Sequence, residues 1–184
     1  MVVGLDLSLT ATGAAIAGKA WFEVTTLGSK GRADASLMER HARLADLATA
    51  IFDTIPDGDN VHVAIETPAH NQTSGHHHDR SGLWWLVIDL IARWALAQEI
   101  RVHEVSTTQV KKYATGKGNA SKAEVMIAAV KRYPQFDITN DNEADAVVLA
   151  AFLARALGHP IEDSLPQTHL AALDKFRPNP GTER

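Results

Sequence analysis

A single α/β domain, with a mixed sheet held between layers of helices, is the fold class this sequence predicts. Three observations carry it. Short β-compatible runs come first, at residues 2–8, 14–17 and 20–26, with Gly18 separating the last two. Strand-like runs at 61–66 and 100–105 then alternate with segments of helical periodicity. The length of 184 residues, with 45% hydrophobic and 22% charged residues, suits one domain with a real core.

Each element has its own warrant. Residues 2–8 end in the turn-rich stretch Ser8-Leu9-Thr10-Ala11-Thr12-Gly13. Over 37–52, Leu37, Arg40, Leu44, Leu47, Ala48 and Ile51 recur at helical spacing, which predicts an amphipathic helix. Pro56-Asp57-Gly58-Asp59 is a turn sequence. A helix is predicted over 81–98; it is apolar nearly all round, so both its faces are expected to be covered. Trp84, Ile88, Ile91 and Ala95 share one stripe, and Trp85, Asp89 and Ala92 drift to another. Gly116-Lys117-Gly118-Asn119 reads as a loop, and Ser121-Lys122-Ala123-Glu124 is a capping-box sequence opening a helix to Arg132. The last long helix is predicted over 142–157, ended by Gly158 and then Pro160. Residues 1–158 form the expected domain. Residues 159–184 form an extension packing on it, with a short helix at 169–176 and a disordered end.

Composition excludes several classes. There is no cysteine, so disulfides, thiolate zinc sites and a cysteine nucleophile are out, which fits a reducing cytosol. No charged-then-apolar leader precedes Val2. The longest apolar stretch, 83–97, contains Asp89 and Arg93 and is too short to span a bilayer. The formal net charge is −4, so a nucleic-acid partner needs basic residues concentrated locally. Residues 101–132 supply that concentration: seven basic residues against two acids, +5 within an acidic chain. Glycines interleaved with them let a backbone approach phosphates.

The chemistry is carried by carboxylates in apolar settings. Asp6 sits in Val2-Val3-Gly4-Leu5-Asp6-Leu7, Glu66 ends Val61-His62-Val63-Ala64-Ile65-Glu66, and Asp145 lies within a helical apolar run. A buried carboxylate is costly unless it is paired or bound to a cation. Three of them, far apart in sequence, point to one acidic site for divalent cations, which prefer oxygen ligands. In-line phosphodiester hydrolysis needs an activated water and a stabilised leaving oxygen, and two ions roughly 4 Å apart can serve both. A metal-dependent nuclease is the leading reading. The tract His76-His77-His78 invites a transition-metal reading, but adjacent histidines do not share a helix face and no HExxH pattern accompanies them. DNA contact or a solvated loop is the expectation there.

These segments also resemble a known family. Gly4-Leu5-Asp6-Leu7-Ser8-Leu9-Thr10-Ala11-Thr12-Gly13 is similar to the first strand and turn of RuvC-type Holliday junction resolvases, in the RNase H-like superfamily. Ala64-Ile65-Glu66 resembles their second acidic strand, Val110 to Lys122 their basic, glycine-punctuated segment, and Glu143-Ala144-Asp145-Ala146 their acidic last helix. The four segments stand in family order across most of residues 1–157, and the bacteriophage branch is the most similar. The resemblance implies an RNase H-like three-layer fold with a mixed five-stranded sheet. It implies a homodimer that cuts branched DNA in the cytoplasm of a bacterium, or of the host for a phage protein, in recombination and repair. Mg²⁺ is the implied cofactor, with Mn²⁺ able to substitute and Ca²⁺ permitting binding without cutting. Paired nicks would leave 5′-phosphate ends.

By resemblance, Asp6, Glu66 and Asp145 are metal ligands. The family's fourth ligand precedes the last aspartate by three residues, where this chain has Asn142. Asp141, four residues before Asp145, faces nearly the same side of a helix and is favoured as the fourth group, with the Asn142 amide oxygen as the alternative. Lys111, Lys112, Lys117 and Lys122 are assigned to the DNA backbone, with Lys117 and Lys122 nearest the cut phosphate. His70 and Arg80 belong to the polar stretch after Glu66, expected beside the site; where the family often carries an aromatic wedge, this chain has Ala69, His70 and Asn71. Two other classes compete. One is a non-catalytic binder of branched DNA. The other is an actin-like phosphotransfer domain, compatible with Asp6, Thr10, Thr12 and Gly13 but short of a second lobe.

Overall fold

The computed structural model describes residues 1–68, 77–98 and 100–179. Five strands form one sheet: β1 (Val2–Asp6), β2 (Thr12–Ala17), β3 (Phe22–Leu27), β4 (His62–Glu66) and β5 (Arg101–Val105). Their order is β3-β2-β1-β4-β5. The first three make an antiparallel meander, and β4 and β5 join β1 in parallel. Parallel neighbours need crossovers. Helix α1 (Leu37–Phe52) lies between β3 and β4, and α2 (His77–Gln98) between β4 and β5. After β5 come α3 (Thr107–Thr115), α4 (Lys122–Arg132), α5 (Asp141–Ala156) and the short α6 (Gln167–Leu170). The mixed sheet and the layering agree with the sequence reading.

Strand alternation divides the core in two. Val3, Leu5, Val63 and Ile65 point to the layer formed by α1 and α2. Val2, Ala64 and Val105 point to the layer formed by α3, α4 and α5. With a side-chain period of two, Asp6 and Glu66 share the face of Val2 and Ala64, beneath α5. Helix α5 is the central element of that layer, with Ala146 to Leu153 all fully buried.

Two glycines set how closely α5 lies on the sheet. A Cβ on Gly4 would stand 2.1 Å from the Ala146 carbonyl oxygen, and one on Gly13 would stand 2.0 Å from that of Asn142. Gly13 is the register partner of Asp6. The first turn of α5 is therefore held against the strand pair that carries Asp6. Asn140 caps this helix, its side chain accepting from the Glu143 amide. Glu143 is buried and accepts from Thr26 at 2.8 Å and from the Thr139 amide at 2.7 Å. It is a structural brace pointing away from the acidic cluster, as its sequence position suggests.

Several expectations need correction. Residues 107–115, for which the sequence pattern suggests no element, form α3. Ser106 caps it in a capping box with Gln109, and Gly116, with φ 80°, ends it in the left-handed region. The helix expected from Ser81 begins at His77, so His77 and His78 are helical rather than in a loop. One face of α2 packs in the core and the other stays open in the single chain. Leu83, Trp84, Val87 and Ile91 are buried, but Trp85 is 65% exposed and Trp94 47% exposed in the single chain. The short C-terminal helix spans Gln167–Leu170, with turns carrying the chain on to Phe176.

The end of α5 follows the sequence. Gly158, with φ 83°, donates to the Arg155 carbonyl and His159 to that of Ala154, a Schellman closure. Residues beyond it lie along α3, α5 and β5. Glu162 receives Arg155 Nε at 2.9 Å and the Tyr113 hydroxyl. Phe176 packs edge-on to Phe152 at 4.9 Å, and the Asn179 amide donates to His103.

Candidate active site

The carboxylates far apart in sequence gather at one end of the sheet. Asp6 and Glu66 close the neighbouring parallel strands β1 and β4, just after the paired residues Leu5 and Ile65. Asp145 lies on the second turn of α5, over the same strand ends. Burial pushes Asp6 up to about 8, reinforced by the charges of Glu66, Asp145 and Asp141. Burial likewise pushes Asp145 up to about 7, reinforced by Glu66 and Asp141 and opposed by Lys122 and Lys111. Glu66 is raised by burial, against the hydrogen bond from Thr107 and the charges of Lys122 and Lys111. These acids thus sense one another through a poorly hydrated space. Neither Asp6 nor Asp145 has a hydrogen bond or ion pair to its carboxylate among the described residues. A cap on the following turn does not explain Asp6: Thr12 closes that turn, donating to the Ser8 carbonyl at 2.6 Å and accepting from the Ser8 amide.

Asp6, Glu66, Lys122 and Asn142 line one cleft of about 390 Å³, together with Arg80, His77, Ser81 and Trp84. Larger hollows exist, including one of about 570 Å³ between α3, α4 and α6, but no acidic cluster lines it. Chemistry rather than size marks the site. Trp84 fixes its wall, with Nε1 donating to the Glu66 carbonyl at 3.3 Å.

The fourth acidic position is occupied differently. Asp141 is held by Lys122 at 3.0 Å, and that contact lowers its carboxyl below the ordinary range. Asn142 faces the cleft instead. Lys111 is half-buried and acts on Glu66 and Asp145 through charge. Lys112 is also half-buried on α3, one position further along. Lys117 is exposed and lines the separate hollow beside α4, so the structure does not bring it to the acids. Arg80 borders the cleft. His70 and His76 lie outside the described residues.

Sequence reasoning singled out one further participant only as part of a histidine tract and missed another. His77 lines the cleft as the first residue of α2. Thr107, the first residue of α3, donates its hydroxyl to Glu66 Oε1 at 2.6 Å. The capping-box sequence Ser106-Thr107-Thr108-Gln109 was the available signal for the helix start.

The donor set suits a hard cation: oxygen atoms only, with excess negative charge in a dry setting. Among the described residues, no three His, Asp or Glu side chains stand close enough together to hold a metal ion. Asp6, Glu66 and Asp145, with the Asn142 amide oxygen or Asp141, remain the ligands expected from the sequence.

No family model matches the chain. A curated relative, the crossover junction endodeoxyribonuclease RuvC of Rickettsia typhi, is 30% identical over 151 residues, covering 82% of this chain and 94% of the relative. Thermus thermophilus RuvC has the same fold, with a TM-score of 0.57 at 20% identity, over 86% of this chain and 96% of that one. Its complex with a Holliday junction substrate matches with a TM-score of 0.55 at 16% identity, over the same shares of the two chains. The yeast mitochondrial Holliday junction resolvase Ydc2 matches at 0.53 and 13%, over 81% of this chain and 75% of that one. With acids on adjacent strand ends under an acidic helix, and a relative this similar along nearly its whole length, the chain belongs to the RuvC family of crossover junction endodeoxyribonucleases.

Proposed function

We propose that this protein is a divalent-metal-dependent endodeoxyribonuclease that cleaves four-way DNA junctions by paired nicks, leaving 5′-phosphate ends. The observation that carries the reading is the convergence of Asp6, Glu66 and Asp145 at one end of the sheet, with no ion pair to any of the three among the described residues. Asp6, Glu66 and Asp145 hold the cations, Mg²⁺ in the cell with Mn²⁺ able to replace it, and Asp141 or Asn142 completes the set. When bound, the cations supply Lewis-acid activation for attack at phosphorus and for departure of the leaving oxygen.

The chain's own groups do the rest. Lys122 stands at the cleft paired with Asp141, placed to exchange that carboxylate for a phosphate oxygen when DNA arrives. Arg80 and His77 border the same cleft and hold the strand that enters it. Lys111, Lys112 and Lys117 extend the cationic track along α3 and the loop after it, and His70 belongs to the same DNA-facing stretch by position in sequence. Phosphate contacts of this kind orient the substrate without reading its sequence. Two copies of the chain, joined through the exposed face of α2, place two such clefts on one junction.

The test is cleavage of an end-labelled four-way junction, a fork and a linear duplex in Mg²⁺, Ca²⁺ or EDTA, beside Asp6→Asn. Symmetric nicks on the junction that need Mg²⁺ and vanish in Asp6→Asn are the expected result. Equal cutting of the fork widens the substrate class to branched DNA. Tight junction binding with no cutting in Mg²⁺ or Mn²⁺ overturns the enzymatic reading in favour of a binder.

A further inference from the structure

We infer that Thr107 is a positioning residue for Glu66: its hydroxyl holds one carboxylate oxygen so that the other stays available to a cation. The inference rests on the metal-nuclease reading and adds to it a residue on a different element.

The contact is short and charge-assisted, with Thr107 Oγ1 donating to Glu66 Oε1 at 2.6 Å. Glu66 Oε2 accepts no hydrogen bond among the described residues, and Glu66 lines the acidic cleft. One oxygen is fixed and the other is left for a ligand. A glutamate with free torsions loses rotamer entropy on being ordered. Thr107 does that ordering before the cation arrives.

The backbone leaves Thr107 little choice of position. Glu66 pairs in register with Val105 across β4 and β5, and the Thr67 amide donates to the Val105 carbonyl at 3.0 Å. Ser106 then caps α3, with its capping box closed by Gln109, so Thr107 stands at the first helical position. One residue, Ser106, separates it from the strand partner of Glu66. A helical threonine often turns its hydroxyl back onto a helix carbonyl. At the first helical position no preceding turn offers one, and the hydroxyl goes to Glu66 instead. Capping is already done by Ser106, so the helix does not need the Thr107 hydroxyl for its own start. Asp6 and Asp145 have no such neutral donor, which makes Glu66 the one ligand of the three anchored by a hydrogen bond among the described residues.

The same helix carries Lys111 one turn further on, on the face of Thr107. Its charge reaches both Glu66 and Asp145. Helix α3 therefore presents an ordering hydroxyl and a cation to the acidic cluster.

The experiment is Mn²⁺ titration by calorimetry on the full-length protein without DNA, comparing wild type, Thr107→Val, Thr107→Ala and Thr107→Ser. Loss of a group that orients a metal ligand typically weakens affinity about 10-fold or more. Thr107→Val and Thr107→Ala are expected to weaken Mn²⁺ binding about 10-fold. Thr107→Ser, which keeps the hydroxyl, stays within about twofold. Junction affinity in Ca²⁺ is expected to be unchanged in all four, because Thr107 is not among the residues assigned to DNA. Single-turnover cleavage by Thr107→Val is expected to recover most of its rate when Mn²⁺ is raised about 10-fold, in step with the weakened affinity. Equal Mn²⁺ affinity in wild type, Thr107→Val and Thr107→Ala overturns the inference while leaving the nuclease reading intact. So does equal weakening in Thr107→Ser, because the hydroxyl is then irrelevant. A wild-type protein that binds no Mn²⁺ removes the metal-nuclease reading itself, and the positioning role with it.

Discussion

At the scale of the residue, gathering the acids in one buried place costs the protein stability. Asp6 is pushed up to about 8 and Asp145 to about 7, chiefly by burial and then by one another's charge and that of Glu66 and Asp141. A carboxyl whose folded value exceeds its unfolded value binds a proton more tightly when folded. Its favourable contribution is complete below the unfolded value of 3.8 and is lost as the pH rises through about 8. In EDTA at pH 8 to 9, Asp6→Asn is therefore expected to melt higher than wild type by roughly 5 °C, about 2 kcal/mol, with the gap closing toward pH 4. Differential scanning calorimetry across that range measures it. A wild type that melts higher than Asp6→Asn throughout in EDTA contradicts the account. Under the proposed function, added Mg²⁺ is expected to reverse the order, because Asp6→Asn loses a proposed cation ligand. The same protons must leave before a cation binds, so Mn²⁺ affinity is expected to rise as pH goes from about 6 to about 8. The three acids were legible in the sequence because a carboxylate inside an apolar run is costly without a reason. Thr107 was not, because its place at the site depends on the β4–β5 register.

At the scale of the element, α5 positions the site and two glycines position α5. The Ala146 and Asn142 carbonyls sit where a Cβ on Gly4 or Gly13 would be. Backbone cannot move aside as a side-chain tip can, so a methyl at Gly13 must push the first turn of α5 off the sheet. Gly13→Ala is expected to cost roughly 1–3 kcal/mol by urea denaturation. It is also expected to slow junction cleavage by at least about 10-fold, since catalytic geometry tolerates displacements well under 1 Å. Gly18→Ala is the control: its nearest neighbour would be 3.6 Å away, and it should change stability by less than about 0.5 kcal/mol. Equal effects at the two positions contradict the close-approach argument. Periodicity made α1, α4 and α5 readable to within a residue at each end. It failed at α3, where Thr107, Thr108, Val110, Tyr113 and Thr115 are weak helix formers and the glycines after them suggest a loop. Tertiary packing of Val110, Tyr113 and Ala114 supplies what propensity lacks.

At the scale of the whole molecule, the two helical layers differ in what they leave outside. On the α1–α2 side, Leu37, Met38, Trp85 and Trp94 are all exposed, and Leu37 and Trp85 line one hollow of about 470 Å³. An apolar run covered on only one face by its own chain is what a dimer of this kind needs. The cation-rich segment from Arg101 to Arg132 lies with the other layer, so pairing through α2 leaves it open to DNA in both copies. The protein is expected to have twice the 19.9 kDa chain mass by light scattering at micromolar concentration. Trp85→Glu is expected to halve that mass while keeping its helical circular dichroism, because Trp85 is 65% exposed and meets the core through an edge-on contact with Trp84. A charge on the opposite layer, Ile127→Glu, serves as the control, since Ile127 is just as exposed but lies on α4. It should leave the mass at the dimer value. The functional consequence separates one chemical site from two: Trp85→Glu should still nick a junction strand, with metal dependence unchanged, but the second, symmetric nick should no longer follow the first within one binding event. A plasmid-borne cruciform reads this directly, as nicked circles in place of linear product. Linear product from a monomeric Trp85→Glu would place the pairing of cuts elsewhere than in α2.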